Sequence, residues 1–403
     1  MVDNNLLMEI GLVGKPNVGK STFFVAATMA TAEIASYPFT TIEANRGVGY
    51  VRAKCPHVEF GVECNPKNSL CDHGTRLIPV EIIDVAGLVP DAHKGRGLGN
   101  KFLDDLRQAS ALIHIVDASG GTDAEGQSVS IGTHDPVEDV KFLEREITYW
   151  IEGILAKAWE KSARRAEMQG EKLERLIHEK LTGLGISEAE VHVALKEANI
   201  SGKPSSWKEE ELLKLAASIR KVAKPLIIAA NKCDIAPREN IDKLMAMEDF
   251  ITIPTTAEHE LALRKADRAK LVEYHLGASD FKILSEDKLN AQQKGALERI
   301  RKVMKTYNGT GVQRCLEEAV YNLLDMIVVY PVEDENHLTD KDGNVLPDAY
   351  LMRRGSKAID LAYKVHTDLG DNFIRAIDAR SKRVIGHDYE LKDGDVIKIV
   401  AKA

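Results

Sequence analysis

Eight residues near the N-terminus constrain this chain more than any other feature: Gly14-Lys-Pro-Asn-Val-Gly-Lys-Ser21, the pattern G-x-x-x-x-G-K-[ST]. An apolar, strand-like run, residues 6–13 (LLMEIGLV), leads into it, and Thr22-Phe23-Phe24 open a helix behind it. Gly14 and Gly19 let the backbone wrap around an anion. The loop N–H groups, through Val18, Ser21 and Thr22 at the helix start, supply partial positive charge. In such a loop Lys20 bridges the β- and γ-phosphates of a nucleotide and the Ser21 hydroxyl ligates Mg²⁺. A phosphate loop set between strand and helix belongs in an α/β fold, and the rest of the chain agrees.

Residues 79–84 (PVEIID) and 111–117 (ALIHIVD) are short apolar runs that end in Asp, with loops behind them. Residues 225–231 (PLIIAAN) and 250–255 continue the pattern of buried parallel strands with functional groups at their C-terminal ends. We therefore expect a mostly parallel sheet in residues 1–140 and 222–326. Between these blocks, 141–221 is rich in Glu, Lys and Arg, with Ile147, Ile151, Ile154, Leu155 and Ala158 at helical spacing. It reads as a helical insertion, an antiparallel hairpin turning near Gly183–Gly185, whose charge is a solvated face or a partner-binding arm. Residues 260–310 are polar and helical, and Gly311–Met326 is an amphipathic closing helix. From Ile327 to 403 the pattern turns to short β runs with turns at Asp342-Gly343 and Asp393-Gly394, the mark of a separate small β-rich domain.

Of the 403 residues 44% are apolar and 29% charged, which suits two or three folded domains rather than a disordered chain. A net charge of -8 argues against a protein that coats nucleic acid over its whole surface, so DNA binding is not expected and any RNA contact is local. The N-terminus lacks the features of a secretory signal, and no apolar stretch approaches the roughly 20 residues of a membrane span. Five cysteines in such a chain read as thiols, and the expected location is the cytoplasm.

Two further motifs complete a nucleotide site. Asp84-Val-Ala-Gly87 ends the second strand, where the carboxylate would hold Mg²⁺ through water and the Gly87 N–H would sense a γ-phosphate. Asn231-Lys-Cys-Asp234 ends the fourth. A carboxylate at Asp234 accepts both N1–H and N2–H of guanine, donors that adenine lacks at those positions, so this side chain selects the base. Asn231 would tie this loop to the phosphate loop, and the Lys232 stem would lie on the base. Thr256-Ala257 matches, less closely, a short loop whose backbone N–H meets guanine O6.

These motifs in this order resemble the translation-factor-like GTPases. Tyr37-Pro-Phe-Thr-Thr-Ile-Glu-Ala-Asn45 is similar to switch I of the Obg family, a likeness that makes Thr41, rather than Thr40, the ligand of Mg²⁺ and the γ-phosphate. Asp84-Val-Ala-Gly-Leu-Val-Pro90, with Lys94-Gly-Arg-Gly-Leu-Gly-Asn-Lys-Phe102, resembles the Gly-rich switch II of the YchF-like branch. Residues 326–403 resemble a TGS domain, a β-grasp module also found in threonyl-tRNA synthetases and stringent-response enzymes. The resemblance implies a GTP/GDP switch that hydrolyses GTP slowly and associates with the ribosome or RNA through the TGS-like and helical domains. YchF proper lacks an intact N-K-x-D and accepts ATP. Asn231, Lys232 and Asp234 favour GTP and a TGS-bearing subgroup beside it. A YchF-like ATPase and an RNA-binding protein with a vestigial nucleotide site are the rival readings.

Leu88 stands where Ras-type enzymes carry the glutamine that orients water, so another group must complete the site. Asn17 is a candidate K⁺ ligand for that purpose, or equally a loop-shaping Asn with no ion. Finally, Cys55-Pro-His57, Cys64, Cys71 and His73 offer enough ligands for tetrahedral zinc. Their spacing is not a paired C-x-x-C, and a hairpin with incidental cysteines is the reading the sequence favours over zinc.

Overall fold

The computed structural model describes residues 7–29, 45–85 and 105–402. In chain order the strands are β1 Glu9–Val13, β2 Arg46–Lys54, β3 Leu70–Asp72, β4 Thr75–Asp84, β5 Ala111–Asp117, β6 Leu226–Asn231 and β7 Thr252–Pro254. There follow β8 Val272–Glu273, β9 Lys282–Ile283, β10 Met326–Val332, β11 Tyr350–Arg353, β12 Phe373–Asp378, β13 Val384–Ile385 and β14 Val396–Ala401. The chain divides into two compact units. One comprises Glu9–Met29 and Ile82–Cys315, and the other Met1–Met8, Ala30–Glu81 and Leu316–Ala403.

In the first unit β1, β5, β6 and β7 are parallel, with β5 between β1 and β6. All seven residues of β5 and all six of β6 are buried, as strands covered on both faces must be. Register carries the functional consequence. Asp117 lies opposite Asn231 across β5 and β6, so two polar residues end adjacent strands on the same edge. The helix Lys20–Thr28 leaves the phosphate loop directly after Gly19, whose φ of 93° is left-handed.

The insertion is not the single hairpin expected. It contains five α-helices, Pro136–Ala156, Trp159–Gln169, Leu173–Leu181, Glu188–Ala198 and Glu209–Ala223. Local chemistry marks the breaks: Asp135 caps the first helix ahead of Pro136, Gly170 ends the second with φ 66°, and Ser187 with Glu190 forms a capping box for the fourth. The turn near Gly185 joins only the third and fourth helices. Val140, Leu143, Ile147, Ile151 and Leu155 form a stripe along the first helix. They share one core with Leu212, Leu215 and Ile219 of the last and with Val13, Leu112 and Val116 of the sheet. Trp159 stacks on Trp207 at 5.7 Å and 8°.

In the second unit β10 and β14 pair in parallel and the remaining neighbours antiparallel, in the order β11-β10-β14-β12-β13. The helix Ala358–Val365 buries Leu361 against Ile327, Val329, Ala376 and Ile397, a β-grasp arrangement. The closing helix differs from expectation: it is α-helical over Val312–Glu317 and then π-helical over Glu318–Leu323. β2 is unforeseen, whereas the antiparallel pairing of β3 with the start of β4 is a hairpin of the kind expected in the cysteine segment. This segment joins the closing helix through Arg52, which grips Glu317 at 2.6 and 3.0 Å. The Arg380 guanidinium is likewise spent on Glu59, and Arg354 pairs with Asp325. Two basic side chains of the C-terminal domain are thus already committed within the protein.

Candidate functional site

At the C-terminal edge of the parallel sheet a cavity of about 570 Å³ is lined by Lys15, Pro16, Asn17, Gly19, Lys20, Ser21, Thr22, Asn231, Lys232, Asp234, Ile235, Thr256, Ala257 and Glu258. The phosphate-loop residues and the N-K-x-D residues, more than 200 positions apart in sequence, face one space. Thr41 and Gly87, together with Leu88, lie outside the described residues.

The loop geometry follows from what its glycines must avoid. A side chain on Gly14 would come within 2.7 Å of the Ile115 carbonyl, and one on Gly19 would collide with the Asn231 amide. The latter contact exists because Asn231, 3% exposed, donates from Nδ2 to the Val18 carbonyl at 2.8 Å and accepts at Oδ1 from the Ala257 N–H at 3.0 Å. One buried amide therefore joins the phosphate loop to the Thr256-Ala257 loop. The Ala257 N–H is thereby committed inside the protein.

Lys232, in the left-handed region at φ 60°, donates to the Asn17 carbonyl at 2.9 Å and to Asp117 Oδ2 at 2.7 Å. Asp117 is itself buried and held by the Ser119 N–H and hydroxyl. No sequence motif assigns Asp117 this task; its signal is a charged residue at the end of the otherwise apolar run 111–117. Asp234 lines the cavity with His259 Nε2 3.8 Å away, and burial lowers the His259 pKa although Asp234 opposes the shift. Between Lys232 and Asp234 the Cys233 thiol is buried, which pushes its pKa up.

Two lysines flank the phosphate loop, and the fold separates their tasks. Lys15 is 6% exposed and bonded to Asp139 at 2.8 Å and to the Thr122 carbonyl at 3.0 Å. Lys20 faces the cavity and ion-pairs with Asp84. His134 also bonds Asp139 at 2.8 Å, and the Asn17 amide donates to the Gly126 carbonyl at 2.9 Å. A loop spanning 118–134 therefore braces the phosphate loop from outside. No motif announces it; its signals are Gly120-Gly121 and Gly126, the first and last of which have positive φ. Ser21 and Asp84 provide a hydroxyl and a carboxylate, hard oxygen donors that suit Mg²⁺.

Family models match three stretches: a 50S ribosome-binding GTPase domain over residues 9–145, an Obg-like GTPase YGR210-like, G4 motif-containing domain over 229–334, and a TGS domain over 336–401. An uncharacterised GTP-binding protein of Methanocaldococcus jannaschii is 56% identical, with 98% of this chain and 99% of that protein aligned. The chain belongs to the YchF-like branch of the Obg GTPase family. Among Obg-family relatives, the ribosome-binding ATPase YchF of Bacillus subtilis is 30% identical over 97% of this chain and 98% of its own length. The crystal structure of a GTP-binding protein from Pyrococcus horikoshii has a TM-score of 0.79 at 45% identity, covering 98% of this chain and all of the other. Among the described residues no helix is long and apolar enough to cross a membrane.

Proposed function

We propose that this Obg-family protein is a guanine-selective nucleotide switch that hydrolyses GTP to GDP and phosphate and works in the cytoplasm in association with the ribosome or RNA. The observation that carries it is the convergence of Lys20, Ser21, Asn231, Lys232 and Asp234 on one cavity, with Asn231 physically linking its phosphate and base ends.

Asp234 receives N1–H and N2–H of guanine, and the Lys232 stem lies against the ring while its ammonium stays anchored on Asp117 and Asn17. Lys20 exchanges Asp84 for the β- and γ-phosphates, aided by the N–H groups from Gly14 to Thr22. Ser21, Thr41 and Asp84 would hold Mg²⁺, which neutralises charge on the phosphate oxygens when bound. Phosphoryl transfer needs positioning and charge more than a strong base, so Lys20, Thr41 and the Gly87 N–H serve as the protein's catalytic groups, and a further group completes the site in place of the glutamine that Leu88 replaces. The 56%-identical relative is named for GTP binding and the 30%-identical one as a ribosome-binding ATPase, so the base is the point to test.

Titration with GTP, ATP and GDP decides it. An Asp facing adenine loses two hydrogen bonds, and discrimination on the order of 10⁴-fold is expected. Asp234→Asn should weaken GTP and admit xanthosine triphosphate. ATP binding within about tenfold of GTP, a gap of only about 1.4 kcal/mol, would overturn the guanine assignment in favour of an ATPase. Co-sedimentation of the full chain with ribosomes, with and without a non-hydrolysable GTP analogue, tests the association: no difference removes the switch.

A further inference from the structure

The cysteine segment that sequence spacing left as an incidental hairpin closes on itself in the folded chain. Cys55 directly follows β2, His57 opens the short helix behind it, Cys64 sits in the following loop and Cys71 lies on β3. The Cys55, Cys64 and Cys71 sulfurs and one nitrogen of His57 all lie within 4.8 Å of one another. Three separations are specific: Cys55 Sγ to Cys64 Sγ 3.8 Å, Cys64 Sγ to His57 Nδ1 3.2 Å and Cys71 Sγ to His57 Nδ1 3.5 Å. A tetrahedron with Zn–S of about 2.3 Å and Zn–N of about 2.0 Å has S···S edges of about 3.8 Å and S···N edges of about 3.5 Å. The protein already holds donor atoms at nearly those edges. His73, the fifth candidate, is not in the group and pairs with Asp72 instead.

A second observation is independent of these distances. Arg76 is fully buried, yet its hydrogen bonds go to the Ser69 hydroxyl at 2.9 Å, the Leu346 carbonyl at 3.0 Å and the Cys55 sulfur at 3.4 Å, none of them a carboxylate. A buried guanidinium needs an anion beside it. Three thiolates, one neutral imidazole and Zn²⁺ together carry a charge of -1, placed against Arg76. The same guanidinium lies 5.4 Å from the Tyr330 ring centroid on β10, so the cluster is wired directly to the β-grasp sheet.

We propose that Cys55, His57, Cys64 and Cys71 bind one structural Zn²⁺, which closes the 55–74 segment and, through Arg76, fixes it to the C-terminal β-grasp domain. Binding releases three protons, one from each thiol, while His57 coordinates as the neutral imidazole through Nδ1. Four protein ligands leave no open position, which makes the role structural rather than catalytic. Cysteine and imidazole donors favour Zn²⁺ over Mg²⁺ or Ca²⁺.

The test uses the full-length protein purified under reducing, chelator-free conditions. Elemental analysis should find one zinc per chain, retained by Cys315→Ser and lost from Cys64→Ser and Cys71→Ser. Because those variants can misfold, the wild type is also stripped and titrated with Co²⁺. Intense visible bands of tetrahedral cobalt with a thiolate charge-transfer band are expected, and His57→Cys should retain the metal with stronger charge transfer. Hydrogen exchange at residues 55–74 and around Tyr330 and Leu346 should speed up at least tenfold on zinc removal. No stoichiometric zinc together with no tetrahedral cobalt spectrum would overturn the site. Unchanged exchange around Tyr330 would overturn the link to the β-grasp domain.

Discussion

Replacing Asn231 by alanine probes the joint that makes two distant motifs one site. The substitution removes a hydrogen bond to the Val18 carbonyl at 2.8 Å and another from the Ala257 N–H at 3.0 Å. Val18 and Ala257 are at most 1% exposed, so neither orphaned group can turn to water. An unsatisfied buried group costs about 1–3 kcal/mol, so the pair costs about 2–6 kcal/mol, shared between stability and pocket assembly. If about half falls on assembly, GDP affinity drops by a factor on the order of 5 to 150. Fluorescent-GDP titration measures that part, and urea denaturation the rest. Asn231→Asp sharpens the test because it keeps the shape and the acceptor while losing the donor. A carboxylate oxygen would then oppose the Val18 carbonyl, so Asp should be at least as damaging as Ala. If Asn231→Asp binds GDP within threefold of wild type, the amide is not the link described here.

Asp139→Ala should cost about 3–5 kcal/mol in urea denaturation, because it strands buried Lys15, whereas Lys15→Met combined with Asp139→Leu should recover most of that loss. Burial, aided by Lys15, lowers the His114 pKa to about 3 from 6.5. Below pH 6.5 the unfolded chain takes up a proton that the native chain refuses, so stability falls as pH drops. The loss is about 2–3 kcal/mol at pH 4.5, and His114→Gln should flatten that slope in denaturation curves at pH 7 and 4.5. Intrinsic GTP turnover should be no faster than about 10⁻³ s⁻¹, given Leu88 in place of a water-orienting glutamine. If Asn17 ligates K⁺, exchanging Na⁺ for K⁺ at fixed ionic strength should raise turnover and Asn17→Ala should erase the gain; equal rates in both salts refute the potassium role.

The legible parts of this protein are those whose physics is local. The phosphate loop needs two glycines, a lysine and a hydroxyl within eight positions, and strands buried on both faces need unbroken apolar runs; both could be read directly. The insertion was legible as helical because its stripe repeats at helical spacing. Its five-helix form was not, since the breaks at Ala158 and Asn199 are non-glycine residues in left-handed conformations that only tertiary packing makes worthwhile. β2 escaped notice because two glycines, Gly47 and Gly49, dilute its pattern.

Sequence by itself determined the chemistry available: which side chains can meet a phosphate, a guanine edge or a soft metal, since those capacities belong to residue types. Only the tertiary structure decided which of them meet. It sent Lys15 to Asp139 and Lys20 to the cavity, although both occupy the same motif. It grouped residues 45–81 with the C-terminal domain, and in doing so gathered four of five scattered zinc-capable side chains beside a buried arginine. Spacing along a chain cannot report that, because Cys71 is brought to Cys55 by the hairpin of β3 with β4, whose Gly74 carbonyl accepts from the Cys55 N–H at 2.9 Å, and not by the residues that separate the two cysteines.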